Sequence, residues 1–209
     1  MSNDTFTNAP DISDPAYADP PRSASAYRYL LLAALFMLVG LMVLVYIGRE
    51  RGSHIGKQLG ELELEPLLNV EQPAKERMSK SSFKLVHFWG PWCNPCMVEY
   101  PEIIKLQRKY ADDNRLAVIS VSCGLKMPQV RDDLEFDTKL FVQGLGGDLP
   151  IYYDPNMYSR VQVSTLIGQQ GFAYPTTVLL DSEMKIVKLW VGATQAGELD
   201  QAVTKALSK

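Results

Sequence analysis

Cys93 and Cys96 make a Cys-x-x-Cys within the run Trp92, Cys93, Asn94, Pro95, Cys96. The run follows a short β-branched and aromatic segment, Leu85 to Trp89, that reads as a buried strand, and opens a stretch that reads as a helix. A thiol at such a junction faces unpaired backbone N–H groups and the positive end of the helix dipole, both of which favour the thiolate. Cys93 is therefore the candidate nucleophile. Cys96, one turn deeper, is placed to resolve the mixed disulfide that Cys93 forms with a substrate. Run in reverse, the same pair donates a disulfide, so the direction of exchange stays open. A zinc half-site is a second chemistry for two cysteines at this spacing, but it needs two more ligands. The further candidates are Cys123, His54 and His87, none paired at a knuckle-like spacing, so ligand arithmetic favours redox chemistry without a metal or cofactor. Cys123, at the end of LAVISVSC, reads as a small buried hydrophobe.

Composition narrows the class. With 209 residues, 46% hydrophobic and 22% charged, the chain is neither disordered throughout nor collagen-like, and three cysteines are too few for a disulfide-stapled framework. The net charge of −3 resides in residues 1 to 26, where Asp4, Asp11, Asp14 and Asp19 face only Arg22. The remainder is balanced, and without a basic excess nucleic acid is excluded as a partner.

The elements that must position the thiols follow an N-terminal leader. Residues 1–28 are expected to form a disordered tail, because residues 1 to 26, with Pro10, Pro15, Pro20 and Pro21 among small polar residues, have little to bury. Residues 29–48 are assigned to one transmembrane helix, because Leu30 to Gly48 runs 19 residues without a charge, about the length that spans a bilayer. Tyr27, Tyr29 and Tyr46 fit interfacial positions, and Arg28, Arg49 and Arg51 mark the edges. A cleaved signal peptide is the competing reading, set against it by the Arg-Glu-Arg that follows where a small-residue cleavage site belongs. Charge leaves the orientation open, with Arg22 and Arg28 on one side and Arg49, Arg51 and Lys57 on the other.

Residues 49–65 are expected to be a juxtamembrane linker and lead-in, and 66–209 one soluble domain. Expected strands are Leu85 to Trp89, Leu116 to Val121, Leu149 to Tyr153, Thr176 to Leu180 and Ile186 to Val191. Expected helices are Met97 to Tyr110, kinked at Pro101, Val130 to Val142, and Ala196 to Leu207. The alternation indicates an α/β fold with a central mixed sheet flanked by helices.

At these residues the chain resembles the thioredoxin fold, and more narrowly the TlpA/ResA-like membrane-anchored thiol-disulfide oxidoreductases, which include the cytochrome c maturation reductases. Phe88 to Cys96 (FWGPWCNPC), Glu99 and Pro101 in the following Glu-x-Pro, and Tyr174 to Asp181 (YPTTVLLD) carry the likeness. His54 to Asn69 is similar to the segment that introduces the domain, so the resemblance spans about residues 54 to 208. It implies a cis-proline at Pro175 that exposes the Tyr174 backbone to an extended substrate; base rates alone favour a trans proline. It implies that Glu99 tunes the cysteines and relays protons, where the plain reading is a solvent-facing helical carboxylate. Trp92 is expected on the docking surface and Trp89 mostly in the core.

His87 departs from the pattern, which has Asn at that position and Asp in thioredoxins. It can accept a proton from Cys96 or be a neutral core histidine. The segment Gly124 to Leu149, with Asp132, Asp133, Glu135 and Asp137, shapes partner choice or is a solvated face. The resemblance implies a protein disulfide reductase, a single-pass protein of the inner (cytoplasmic) membrane with its domain on the periplasmic or extracytoplasmic side. Its partners would be proteins with disulfides, such as apocytochrome c or copper-site proteins, and a transmembrane thiol electron donor. Rival readings are a disulfide oxidase or isomerase, a metal-delivery module using the same cysteines, and a tethered binding domain without turnover.

Overall fold

The computed structural model describes residues 23–52, 54–125 and 130–208 of the chain. Of the tail expected to be disordered, residues 1–22 lie outside the described residues, as do 126–129 within the segment after Cys123, whereas residues 23–28 are not disordered but form the first turns of a helix. Two units divide near residue 50. The first contains helix α1 (Ser23–Gly52), whose stretch Tyr27–Val45 is long and apolar enough to cross a membrane and buries none of itself in protein.

The second unit orders its elements as β1 (Glu65–Leu68), α2 (Ala74–Ser79), β2 (Phe83–Trp89), α3 (Asn94–Lys109), β3 (Leu116–Ser122), α4 (Arg131–Gln143), β4 (Ile151–Tyr153), α5 (Tyr158–Leu166), β5 (Thr176–Leu180), β6 (Ile186–Val191) and α6 (Glu198–Leu207). They build one six-stranded sheet in the order β1-β4-β3-β2-β5-β6. The strands β2, β3 and β4 run parallel, while β5 pairs antiparallel with β2, β6 antiparallel with β5, and β1 closes the other edge antiparallel to β4. The near-continuous apolar runs of β2 and β3 follow from this placement, because central strands of a sheet covered on both faces bury both sets of side chains. Leu85, Val118 and Leu179 pack with Ile103, Leu106, Leu199 and Val203 of α3 and α6 on one face. Val86, Phe88, Ile119 and Val178 pack with Val163 and Met78 on the other. The structure thus has the expected thioredoxin-like arrangement, a mixed sheet flanked by helices.

Three elements were not legible as such. The strand β1 is four residues interrupted by Pro66, α2 is six residues opening after Pro73, and α5 follows an irregular turn in which Met157 takes a left-handed conformation, φ 58°. The segment expected as linker also does more than connect. Leu59, Leu62 and Leu64 are buried in the core, Gly56 N–H donates to the Ile186 carbonyl, and Gln58 bridges to Lys185, so the folded unit begins well before residue 66. The expected helix from Met97 starts instead at Asn94, because Pro95 fits the first turn, where its missing N–H has no helical partner to lose.

If the lead-in is core, Leu62→Ala should lower stability by about 2–5 kcal/mol in urea unfolding of the full chain in mild detergent. Ile55→Ala, at an exposed position of the same segment, should change it by no more than about 0.5 kcal/mol. Equal, negligible effects would mark the segment as a linker.

Candidate active site

The site is assembled where β2 ends and α3 begins. Cys93 is the N-cap residue of α3, in extended conformation, and its Sγ accepts a hydrogen bond from the Cys96 backbone N–H at 3.3 Å. A thiolate at this position replaces the side-chain oxygen that ordinarily satisfies the first N–H groups of a helix, and the helix dipole adds to its stabilisation. Cys93 and Cys96 are joined in a disulfide, S–S 2.07 Å. Cys96 is wholly buried and Cys93 slightly open, so an incoming sulfur meets Cys93 first.

Trp92 lies half-exposed beside the disulfide. Its indole N–H donates to the Cys123 carbonyl at 2.9 Å, and its ring meets the Tyr174 ring edge-on at a centroid distance of 5.1 Å. Gly90 permits this. A Cβ there would come within 2.6 Å of the indole and 2.9 Å of the Cys123 carbonyl. The Tyr174–Pro175 bond is cis, and Tyr174 packs against the cluster that contains both Cys93 and Cys96. Trp89 sits in the core, as expected, with its indole N–H on Ser120 Oγ at 2.8 Å.

Beneath α3 lies a buried polar layer. Strand register places His87 between Ser120 of β3 and Thr177 of β5, all facing α3. His87 Nδ1 is 2.8 Å from Thr177 Oγ1 and 3.6 Å from Glu99 Oε2. The other Glu99 oxygen accepts from the Thr194 backbone N–H at 2.9 Å and from its hydroxyl. Glu99 is buried, not solvent-facing. Glu99 Oε2 and His87 Nε2 have no hydrogen-bond partner among the described residues. Burial pushes the Glu99 carboxyl above its ordinary 4.5, against the pull of the Thr194 hydrogen bonds. Burial alone holds His87 down to about 3, so the imidazole is neutral. Cys123 is free and buried, its thiol pushed up to about 12 by desolvation, the inert state expected of a small core residue.

The structure therefore brings Trp92 to Tyr174 and His87 to Glu99, around a bonded Cys93 and Cys96. Thr177, Thr194 and Ser120 complete the layer and were not singled out beforehand. Thr177 was readable only as part of the YPTTVLLD strand, and Thr194, in the loop after β6, carries no local signal because its role is set by a partner 95 residues away. Among the described residues no group of three or more His, Cys, Asp or Glu side chains gathers to hold a metal.

A redox-active cysteine pair capping a helix, on a mixed sheet of this order, defines a thioredoxin-fold thiol-disulfide oxidoreductase. Comparison with known proteins agrees. No family model matches the chain. It is 28% identical over 186 residues to the thioredoxin-like protein YneN of Bacillus subtilis, covering 83% of this chain and 95% of that one. It is 24% identical over 181 residues to the thiol-disulfide oxidoreductase ResA of Bacillus thuringiensis, covering 86% and 94%. Among solved structures it matches a thiol:disulfide interchange protein DsbE from Chlorobium tepidum described as putative, with TM-score 0.54 and 22% identity over 73% of this chain and 97% of that one. It also matches a thiol-disulfide isomerase from Corynebacterium glutamicum, with TM-score 0.56 and 21% identity over 72% and 96%. The chain is thus similar to ResA-like thiol-disulfide oxidoreductases and has the thioredoxin-like fold.

The two buried groups give stability opposite pH dependences. Native His87 stays neutral down to about pH 3, whereas unfolded His87 takes up a proton below about 6.5, so acidification through that window favours unfolding. Glu99, whose native value is raised, contributes stability that is fully present below 4.5 and is lost as pH rises through its native value. His87→Asn should therefore flatten the loss of stability between pH 6.5 and 4.5, read from urea midpoints. A profile parallel to wild type would mean that the folded protein accommodates the imidazolium.

Proposed function

We propose that this protein is a membrane-tethered disulfide reductase acting on extracytoplasmic proteins, with clients among apocytochromes c or copper-site proteins and with a transmembrane thiol carrier as its electron source. The helix-capping position of Cys93, bonded to a fully buried Cys96, carries the reading. The apolar helix α1 supports the tether, and the ResA-like relatives support the class of reaction.

In the reduced protein, the Cys93 thiolate attacks one sulfur of the client disulfide, and the other client sulfur leaves as a thiolate and takes a proton. Cys96 then attacks Cys93 Sγ, releasing the second client thiol and forming the Cys93–Cys96 disulfide. Two electrons pass to the client, and the two protons it gains balance those lost by the two thiols. Glu99, one helical turn from Cys96 and held above its ordinary value by burial, is the base that takes the Cys96 proton, at the unpartnered Oε2. His87, neutral and 3.6 Å from that oxygen, relays it. Trp92, Tyr174 and Pro175 form the surface on which an extended client segment pairs with the Tyr174 backbone.

The test is the equilibrium reduction potential of Cys93 and Cys96 in the detergent-solubilised full chain, poised in dithiothreitol or glutathione buffers. A value near ~−270 mV or below supports a reductase, and one near ~−120 mV makes the protein an oxidant.

A further inference from the structure

Outside the dithiol chemistry, one complete ion pair is buried among the described residues. Arg160 of α5 is 1% exposed and Asp154, at the end of β4, is 0% exposed. Asp154 Oδ2 accepts from Arg160 Nε at 3.1 Å and from the Arg160 backbone N–H at 3.0 Å, while Oδ1 accepts from the Ser159 backbone N–H. Arg160 Nη2 donates to the Asp154 carbonyl at 3.1 Å, and Nη1 to the Tyr174 hydroxyl at 2.8 Å. That hydroxyl also interacts with the buried Cys123 thiol. The guanidinium fork is thus committed on one side to the turn that starts α5 and on the other to the tyrosine that precedes the cis-proline.

Tyr174 in turn holds the docking face. Its ring lies between Trp92 and Phe172, each at a centroid distance of 5.1 Å, and Phe172 meets Phe88 at 5.3 Å. Tyr174 has a long lever. Its hydroxyl is anchored in the interior, and its backbone is the strand edge offered to a client. A buried ion pair gains little net stability over an apolar replacement of the same size, because desolvation offsets the attraction, so geometry is what this one provides. The planar fork of arginine suits such a double commitment, which a lysine ammonium cannot reproduce.

We propose that Arg160, held by Asp154, is a positioning residue for client docking: it fixes the Tyr174 ring, and through it the Trp92 edge and the backbone beside Pro175, so that an extended polypeptide can pair there. The proposal rests on the docking role given above to Trp92, Tyr174 and Pro175. Small disulfides need only reach Cys93 and are independent of the clamp.

The test compares the detergent-solubilised full chain with Arg160→Met, Arg160→Lys and Tyr174→Phe, using insulin as a polypeptide disulfide and 2-hydroxyethyl disulfide as a small one, with dithiothreitol supplying electrons. Arg160→Met should raise KM for insulin about tenfold, while kcat and the rate with the small disulfide stay within about twofold of wild type. Tyr174→Phe, which deletes only the hydroxyl, should raise KM for insulin by a similar factor, the double variant should add nothing further, and Arg160→Lys should recover part of the loss. An unchanged insulin KM in Arg160→Met, or equal losses on both disulfides, overturns the clamp while leaving the redox function intact. If the wild type oxidises thiols instead of reducing disulfides, only the direction is wrong, and the same KM comparison on reduced insulin chains decides the clamp. A wild type that exchanges with no polypeptide in either direction overturns both.

Discussion

The unpaired N–H groups at the start of α3 are the constraint around which this domain is arranged. A helix that begins inside a fold must have those donors satisfied, and here a sulfur does it: Cys93 caps the helix while Pro95 removes one donor from the first turn. For the cap to sit at the protein surface, α3 has to emerge from the edge of a central strand. Strand β2, flanked by β3 and β5, supplies that edge, and the crossover to the parallel strand β3 buries the far end of the helix. The turn between strand and helix is then crowded, with Trp92 folded back on the Cys123 carbonyl over Gly90, so its half-exposed ring stands beside the disulfide.

The same strand imposes a second condition. Its residues are buried on both faces, so a polar side chain there must find partners within the sheet or in the helix above it. His87 meets Thr177 and Glu99, and Glu99 is tied by Thr194 to the loop beyond β6. Desolvation drives the imidazole and the carboxyl in the same chemical direction, toward their uncharged forms, which is how an acid and a base can share a dry compartment behind a thiol pair. The Asp154 and Arg160 pair solves the problem differently: both charges are kept, and each is consumed by hydrogen bonds that fix α5 and Tyr174. One compartment holds neutral groups; the other keeps both charges.

Much of this was legible beforehand where the physics is local. The strands Leu85 to Trp89, Leu116 to Val121, Thr176 to Leu180 and Ile186 to Val191 are apolar runs closed by Gly, Pro or Asp, and they stand close to where they were expected. The short elements α2 and β1 were not, because six and four residues are too few to show a period, and α5 was not because Ser159, Arg160 and Ser164, polar by type, are buried in it by partners elsewhere in the chain. The lead-in read as linker because Leu59, Leu62 and Leu64 alternate with Gly and Glu and give no element of their own; only the sheet they pad makes them core.

By itself the sequence determined that a cysteine pair would stand at the start of a helix after a buried strand, and that an uncharged stretch long enough for a bilayer would precede the domain. Both rest on spacing along the chain: a dipole and a capping position within four residues, and a length set by helical rise. Tertiary structure alone decided that Glu99 is buried against His87 and Thr194, that Tyr174 stacks on Trp92, and that a buried arginine holds its hydroxyl. Those depend on burial and on partners from distant strands and loops, and the energy of a buried polar group is fixed by what surrounds it, not by its own position in the chain.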